Sequence, residues 1–337
     1  MTKKLWVCVL LAALLAAGAI SGFAGPAKKV SIVMGYIPNV QFAPYYIAQR
    51  RGYFAEEGLE VSFDYGYATD IMSLVARGEV DFGVSDGDQV IIARDRGLPV
   101  KVVYTMYVNY PVGVVSLKSQ GIEKIGDLAG KSVGAPVPFG SNYIGLLVLL
   151  HSGGLSIDDV RFQSIGYTQI ESLLSGKVDA VSVFINNEAV ILRNMGYELN
   201  VFEARAVTPL VSAAIVIGER TIERKPDVVA GFVRAVSRAS RFALEHPERV
   251  MEIIRPSIPT ISEQNLELNR KVLYASMELW TDRDSEVQGL GYTSPQDWGE
   301  SVRELRALGL VEGAVDPREC FTNRFLAGEP ARRTGSR

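Results

Sequence analysis

From Lys29 onward the chain alternates short runs of β-branched and aromatic residues with segments of helical periodicity. This alternation limits the folds open to it more than any other feature. The periodicity predicts strands at 30–34, 59–65, 80–85, 100–107, 112–117, 132–135, 160–164 and 178–184, with helices at 43–51, 71–77, 89–96, 143–150 and 170–174 between them. Several of the strand runs are continuously apolar, as expected where crossover helices cover both sheet faces. Strand and helix in turn therefore predict an α/β chain with mainly parallel sheets. At 337 residues it is long enough for about two hydrophobic cores.

Two segments resemble each other: LVARGEVDFGVS at 74–85 and ESLLSGKVDAVSVF at 171–184. In each, a helix end meets a glycine and then Val-Asp before a buried run. Gly78 and Gly176 stand where a helix C-terminus favours positive φ, ahead of Asp81 and Asp179. Duplication of a half and a common αβ-turn solution both account for the pair. Extended stretches near 111–117 and 206–217 flank the middle region and predict a hinge crossed twice by the chain. Beyond it, 225–246 reads as one long amphipathic helix with Pro226 at its start and Pro247 stopping it, followed by helices at 262–279 and 295–308.

At the N-terminus, Lys3 and Lys4 precede an uncharged apolar stretch over 5–20 and the small-residue site Gly22-Phe23-Ala24. This predicts a secretory signal over 1–24, cut after Ala24, with an uncleaved anchor as the alternative. Cys8 lies inside that segment, without the preceding small residue of a lipoprotein site, and leaves Cys320 as the one remaining thiol. The expected organisation is a first lobe from 25–114 and 209–326, a second lobe from 115–208, and a disordered tail at 327–337.

A formal net charge of -3 and scattered lysines and arginines leave no basic surface for nucleic acid. The two histidines, His151 and His246, fall at predicted helix C-termini, where the dipole favours an imidazolium. No histidine or cysteine cluster has metal-ligand spacing, and no nucleophile elbow or phosphate-binding loop is present, so neither a metal nor a cofactor is expected. Loops after the strands are instead rich in aromatic and amide side chains, the positions where open α/β sheets bind ligands. Tyr36, Asn39, Gln41 and Phe42 follow the first strand, Asp86 and Gln89 the third, and Tyr107 the fourth. Phe139, Ser141 and Tyr143 open one middle helix; Tyr167 precedes another; Asn186, Asn187 and Glu188 follow the last strand. Helix capping and core packing compete with binding for each of these. The loops hold Asp70, Asp86, Asp88 and Glu188 but no cation, which favours a neutral, hydrogen-bond-donating aromatic solute over an anion.

GYIPNVQFAPYYIAQRRGYFAEEGLEV at 35–61, SLVARGEVDFGVSDGDQVIIARDRGLPVKVV at 73–103, GIEKIGDLAGKSVGAP at 121–136 and GYTSPQDWGESVRELRALGLV at 291–311 resemble the nitrate, sulfonate and thiamine-precursor family of ABC-transporter binding proteins. The resemblance implies a type II periplasmic-binding-protein fold whose two lobes close over one ligand. It also implies a monomer in the periplasm or another extracytoplasmic space, with a permease and an ATPase as partners. GYIPNVQFAP, SIGYTQ and the NNE at 186–188 are most similar to riboflavin-binding members and next to pyrimidine-precursor-binding members. Binding carries over by that similarity onto the loop residues named above. The family also holds pyrimidine synthases with a cysteine-rich motif; this chain departs from them in its cysteines and histidines, which leaves an enzyme as the minor alternative. A receptor-linked sensory domain would need a retained anchor.

Overall fold

The computed structural model describes residues 26–65 and 70–326. The expected signal over 1–24 with Cys8, residues 66–69 and the expected tail over 327–337 lie outside the described residues. Ten strands form two five-stranded sheets. They are β1 (Lys28–Val33), β2 (Leu59–Asp64), β3 (Phe82–Asp86), β4 (Val100–Thr105), β5 (Val112–Leu117), β6 (Ser132–Ala135), β7 (Arg161–Ser164), β8 (Ala180–Phe184), β9 (Leu199–Glu203) and β10 (Ala213–Gly218). The first sheet has the order β2-β1-β3-β10-β4 and the second β7-β6-β8-β5-β9. In the first, β1 runs parallel to β2 and β3 while β10 is antiparallel to β3 and β4. In the second, β6 runs parallel to β7 and β8 while β5 is antiparallel to β8 and β9.

The chain passes from the first sheet to the second between β4 and β5 and returns between β9 and β10. The predicted fourth strand ends two residues early, because Met106 and Tyr107 both donate their backbone N–H to the Ala213 carbonyl as the chain leaves the sheet. β5 and β8 are buried along almost their whole length, as expected of strands covered on both faces. β9 escapes the sequence analysis because it is an edge strand of uniform intermediate burial, with no alternation to read.

Gly78 and Gly176 end their helices with φ of 71° and 72°, and no atom lies within 4 Å of where a Cβ would stand on either. The aspartates that follow make equivalent contacts in the two sheets. Asp81 Oδ2 accepts from Ser31 N (3.1 Å) in β1, and Ser31 Oγ accepts from Asp81 N (3.3 Å). Asp179 Oδ2 accepts from Ser132 N and Oγ (both 2.7 Å) in β6, and Ser132 Oγ accepts from Asp179 N (3.0 Å). Each aspartate ties the end of a turn to the strand that stands second in its own sheet, β1 or β6. The two sheets share this strand order and this side-chain chemistry, although the inserted antiparallel strand comes last in the chain in one (β10) and first in the other (β5).

The helix Pro226–Glu245 seals the first sheet: Phe232 stacks on Phe82 (4.1 Å between centroids) and on Phe54 (5.0 Å). Pro247 does not simply stop this helix. The backbone breaks at His246 (φ −135°), and a second helix, Pro247–Ile254, starts on the proline, whose missing N–H is harmless in a first turn.

Candidate functional site

The strand-end residues meet where the two lobes face each other. β3 ends at Asp86 and runs straight into the helix Gly87–Asp95, so that Asp86 and Asp88 stand at a strand-to-helix junction. From the other lobe, the helix Gly140–Ser152 presents Ser141 in its first turn. Its hydroxyl lies 2.7 Å from Asp86 Oδ2 and 3.0 Å from Asp88 Oδ1. Tyr110, on the passage between the lobes, places its hydroxyl 2.7 Å from Asp88 Oδ2 and 2.9 Å from the Ser141 carbonyl. Gln89 Nε2 donates to Asp88 Oδ1 (3.1 Å). Asp86 Oδ1 is sealed from solvent without a hydrogen-bond partner.

Burial, then the neighbouring Asp88 charge, pushes the Asp86 carboxyl up to about 7, against the Ser141 hydrogen bond that lowers it. Asp88 is also raised, by burial, despite bonds from Tyr110, Gln89 and Ser141. No lysine or arginine contributes to the shift of Asp86, Asp88 or Glu188.

A second group surrounds Tyr107. Its hydroxyl is neighboured by Ser276, Gln41 and Asn186, and burial pushes it up to about 12 against the lowering influence of these polar groups. Asn186 Nδ2 donates to Ser276 Oγ at 2.9 Å and makes a longer 3.5 Å contact to Tyr107, while Asn186 Oδ1 is buried and unpartnered. Asn186 and Ser276 thus join the end of β8 to the helix Leu266–Met277. Beside them, Asn187 Nδ2 donates to Glu188 Oε1 (3.0 Å) and the backbone N–H of Phe184 to Glu188 Oε2 (3.0 Å). Burial raises the Glu188 carboxyl and these donors lower it.

The third meeting is aromatic. The rings of Tyr36, after β1, and Tyr167, before the helix Gln169–Leu174, come from opposite lobes with centroids 5.5 Å apart and planes tilted by 54°. Tyr167 is exposed and Tyr36 is half-buried.

Of the expected residues, the structure brings Tyr36, Asp86, Tyr107, Ser141, Tyr167 and Asn186 into contacts between the lobes, while Gln41, Gln89, Asn187 and Glu188 stand beside them with partners in their own lobe. Three other expected residues have local roles, and a fourth is exposed. Asn39 caps the following turn, its Oδ1 accepting from Gln41 N at 3.0 Å. Phe42 packs edge-on against Tyr45 in the core. Tyr143 packs edge-on against Phe162 in the second lobe. Phe139 is 52% exposed at the start of its helix. Capping and packing, weighed against binding in the sequence, are thus present at Asn39, Phe42 and Tyr143. Of the residues that meet here, Asp88 is read from the sequence only as one of the loop acids, and Tyr110 and Ser276 are not singled out. A serine inside a helix carries no signal of what it faces.

His151 and His246 stand at helix ends, as read; His151 Nδ1 lies 3.5 Å from Glu304 Oε1 and the His246 ring packs on Phe242. A separate cavity of about 200 Å³ lies by Arg94, Leu98 and Pro99. Its arginine is already paired with Glu219 and Glu319, at 2.9 Å each, so it offers no free cation.

Residues 39–250 match the family model described as NMT1/THI5 like. The riboflavin-binding protein RibY of Chloroflexus aurantiacus is 37% identical over 304 residues, 89% of this chain and 87% of that protein. A 4-amino-5-hydroxymethyl-2-methylpyrimidine phosphate synthase of Legionella pneumophila is 26% identical over 309 residues, 90% of this chain and 94% of its own length. A formylaminopyrimidine-binding protein of Halalkalibacterium halodurans is 26% identical over 303 residues, covering 88% and 90%. Among solved structures, the periplasmic aliphatic sulphonate-binding protein of Escherichia coli superposes with a TM-score of 0.65 at 13% identity, over 87% of this chain and 96% of that one. The architecture is the periplasmic-binding-protein fold expected from the sequence.

Proposed function

This chain belongs to the NMT1/THI5-like family, and from that membership we propose that it is the solute-binding component of an ABC importer whose ligand is riboflavin. The observation that carries this reading is the similarity to the riboflavin-binding relative across 89% of the chain. The site supports it in two ways. Tyr36 and Tyr167 bring one aromatic ring from each lobe into direct contact, so a flat ligand ring that parts them would gain a stacking face from both lobes. The remaining polar groups are amides, hydroxyls and acids, which suit imide N–H, carbonyl and hydroxyl groups and lack the cation that a sulfonate or nitrate demands.

Ligand binding then drives closure, because contacts from two lobes exist together in one state only. The closed form is delivered to a permease and its ATPase from outside the cytoplasm, the chain acting as a monomer and not as an enzyme. The histidines support this last point, since both serve helix ends away from the facing lobes.

Purified protein mixed with riboflavin tests the reading by quenching of flavin fluorescence and by calorimetry. Binding in the micromolar range or tighter is expected, and Tyr36→Ala and Tyr167→Ala should each weaken it by about 1 to 2 kcal/mol. A formylaminopyrimidine binding while riboflavin does not would replace the ligand and keep the transport role. The 26% identity to a protein that binds that pyrimidine favours this as the second reading.

A further inference from the structure

The oxygen atoms around Ser141 outnumber the protons available to them. Four short O···O contacts link Asp86, Asp88, Tyr110 and Ser141, at 2.7, 3.0, 2.7 and 2.9 Å. The Ser141 and Tyr110 hydroxyls bring one proton each, while ionised carboxylates and the Ser141 carbonyl only accept. With both acids ionised, Ser141 can donate to one carboxylate and must face the other lone pair to lone pair. One proton added to the pair removes the conflict between Ser141 and the two acids: a protonated Asp86 donates to Ser141 Oγ, Ser141 donates to Asp88, and Tyr110 donates to Asp88 Oδ2, which leaves only the Tyr110–Ser141 carbonyl contact without a proton of its own.

Asp86 is the natural holder of that proton. Asp88 draws on three donors, Tyr110, Gln89 and Ser141, whereas Asp86 has Ser141 alone and an Oδ1 with no partner. Asp86 and Asp88 sit at the end of β3 in one sheet and Ser141 in a helix of the other lobe, so the conflict exists only while these two lobes are held together as they are here. We propose that the Asp86–Asp88 pair is a proton-linked latch: closing the two lobes takes up one proton, and closure weakens as that proton is lost.

The titratable groups that face the pair are Tyr107 and Tyr110 from the passage between the lobes, both raised by burial and by these carboxylates, and neither brings a positive charge. The helix Pro295–Ala307, packed against Gly87, contributes Trp298 there. Asp86 in the closed form lies above its ordinary range, so the closed state is the better proton binder. Closure is accordingly favoured below the ordinary aspartate range, declines as pH rises toward about 7, and levels off above it.

The latch regulates the site described under the proposed function but is testable apart from its ligand. Riboflavin affinity should weaken by up to about tenfold per pH unit between about pH 5 and 7, then flatten, with about one proton taken up per binding event. Calorimetry in two buffers of different ionisation heat reads that proton directly in the unmodified protein. Asp86→Asn, which supplies an N–H in place of the acid proton, should abolish both the slope and the uptake.

Affinity flat with pH, together with no proton uptake, overturns the latch. If riboflavin fails to bind at any pH, the ligand assignment falls and small-angle scattering of the unliganded protein decides the latch. A smaller radius of gyration at pH 5 than at pH 8 in the wild type but not in Asp86→Asn supports it; the same radius at both overturns it.

Discussion

The two lobes solve the same structural problem with different chemistry at their strand ends. Each has a parallel trio, an antiparallel strand inserted beside it and an edge strand in the same spatial order. At the end of β3 the first lobe carries Asp86 and Asp88; at the corresponding end of β8 the second carries Asn186, Asn187 and Glu188. Glu188 is satisfied inside its own lobe, by Phe184 and Asn187. Asp86 takes its single hydrogen bond from Ser141 in the opposite lobe. The difference teaches that a buried acid reports lobe closure only when its donor is on the other lobe. An acid with local donors keeps its environment whether the lobes are open or shut.

The largest expected difference lies in the cores. The first lobe is closed by stacked aromatics, and the cluster formed by Val115, Ile165, Leu173, Val178, Val181 and Val183 in the second is aliphatic. Phe232→Ala should cost about 3 to 5 kcal/mol in chemical denaturation, and Leu173→Ala toward the lower end of ~2–5 kcal/mol. Equal losses would show that the two cores contribute alike despite their composition.

Next come the paired aspartates. Asp81→Ala and Asp179→Ala should each destabilise by ~1–3 kcal/mol, because each leaves part-buried donors of β1 or β6 unpaired. A loss at one site and none at the other would break the equivalence drawn between the halves. Hydrogen bonds from Ser132 hold the Asp179 carboxyl below its ordinary value. Its stabilisation is therefore present above the ordinary aspartate range and lost as pH falls through it toward the folded value. Asp179→Asn should flatten that part of the acid limb in a pH series of melting temperatures.

Gly78→Ala and Gly176→Ala should each cost about 1 kcal/mol through positive φ alone, since open space surrounds both positions. Unequal costs would mean that one turn relaxes. The smallest effect tests the contrast between the acids. Glu188→Gln changes an acid whose donors are local, so the slope of ligand affinity against pH should stay as in the wild type; loss of that slope would place proton uptake at Glu188 instead.

Much of this architecture is legible in the amino-acid order. Runs such as 112–117 and 132–135 match β5 and β6 residue for residue, because a strand buried on both faces leaves a continuous apolar run. Gly78 and Gly176 are legible because few residues other than glycine tolerate their φ. β9 and the helix Pro247–Ile254 are not, the first lacking alternation and the second hidden behind a proline that serves equally to stop a helix or begin one.

Propensity and periodicity act over a few residues, so the sequence by itself determined the strands, the turns and the loops that could bear a site. Which of those loop residues face a partner was decided by tertiary structure. Ser141 reaches Asp86 from 55 residues away and Ser276 reaches Asn186 from 90. Only the juxtaposition of two lobes sets such distances, and with them the donors each buried acid receives.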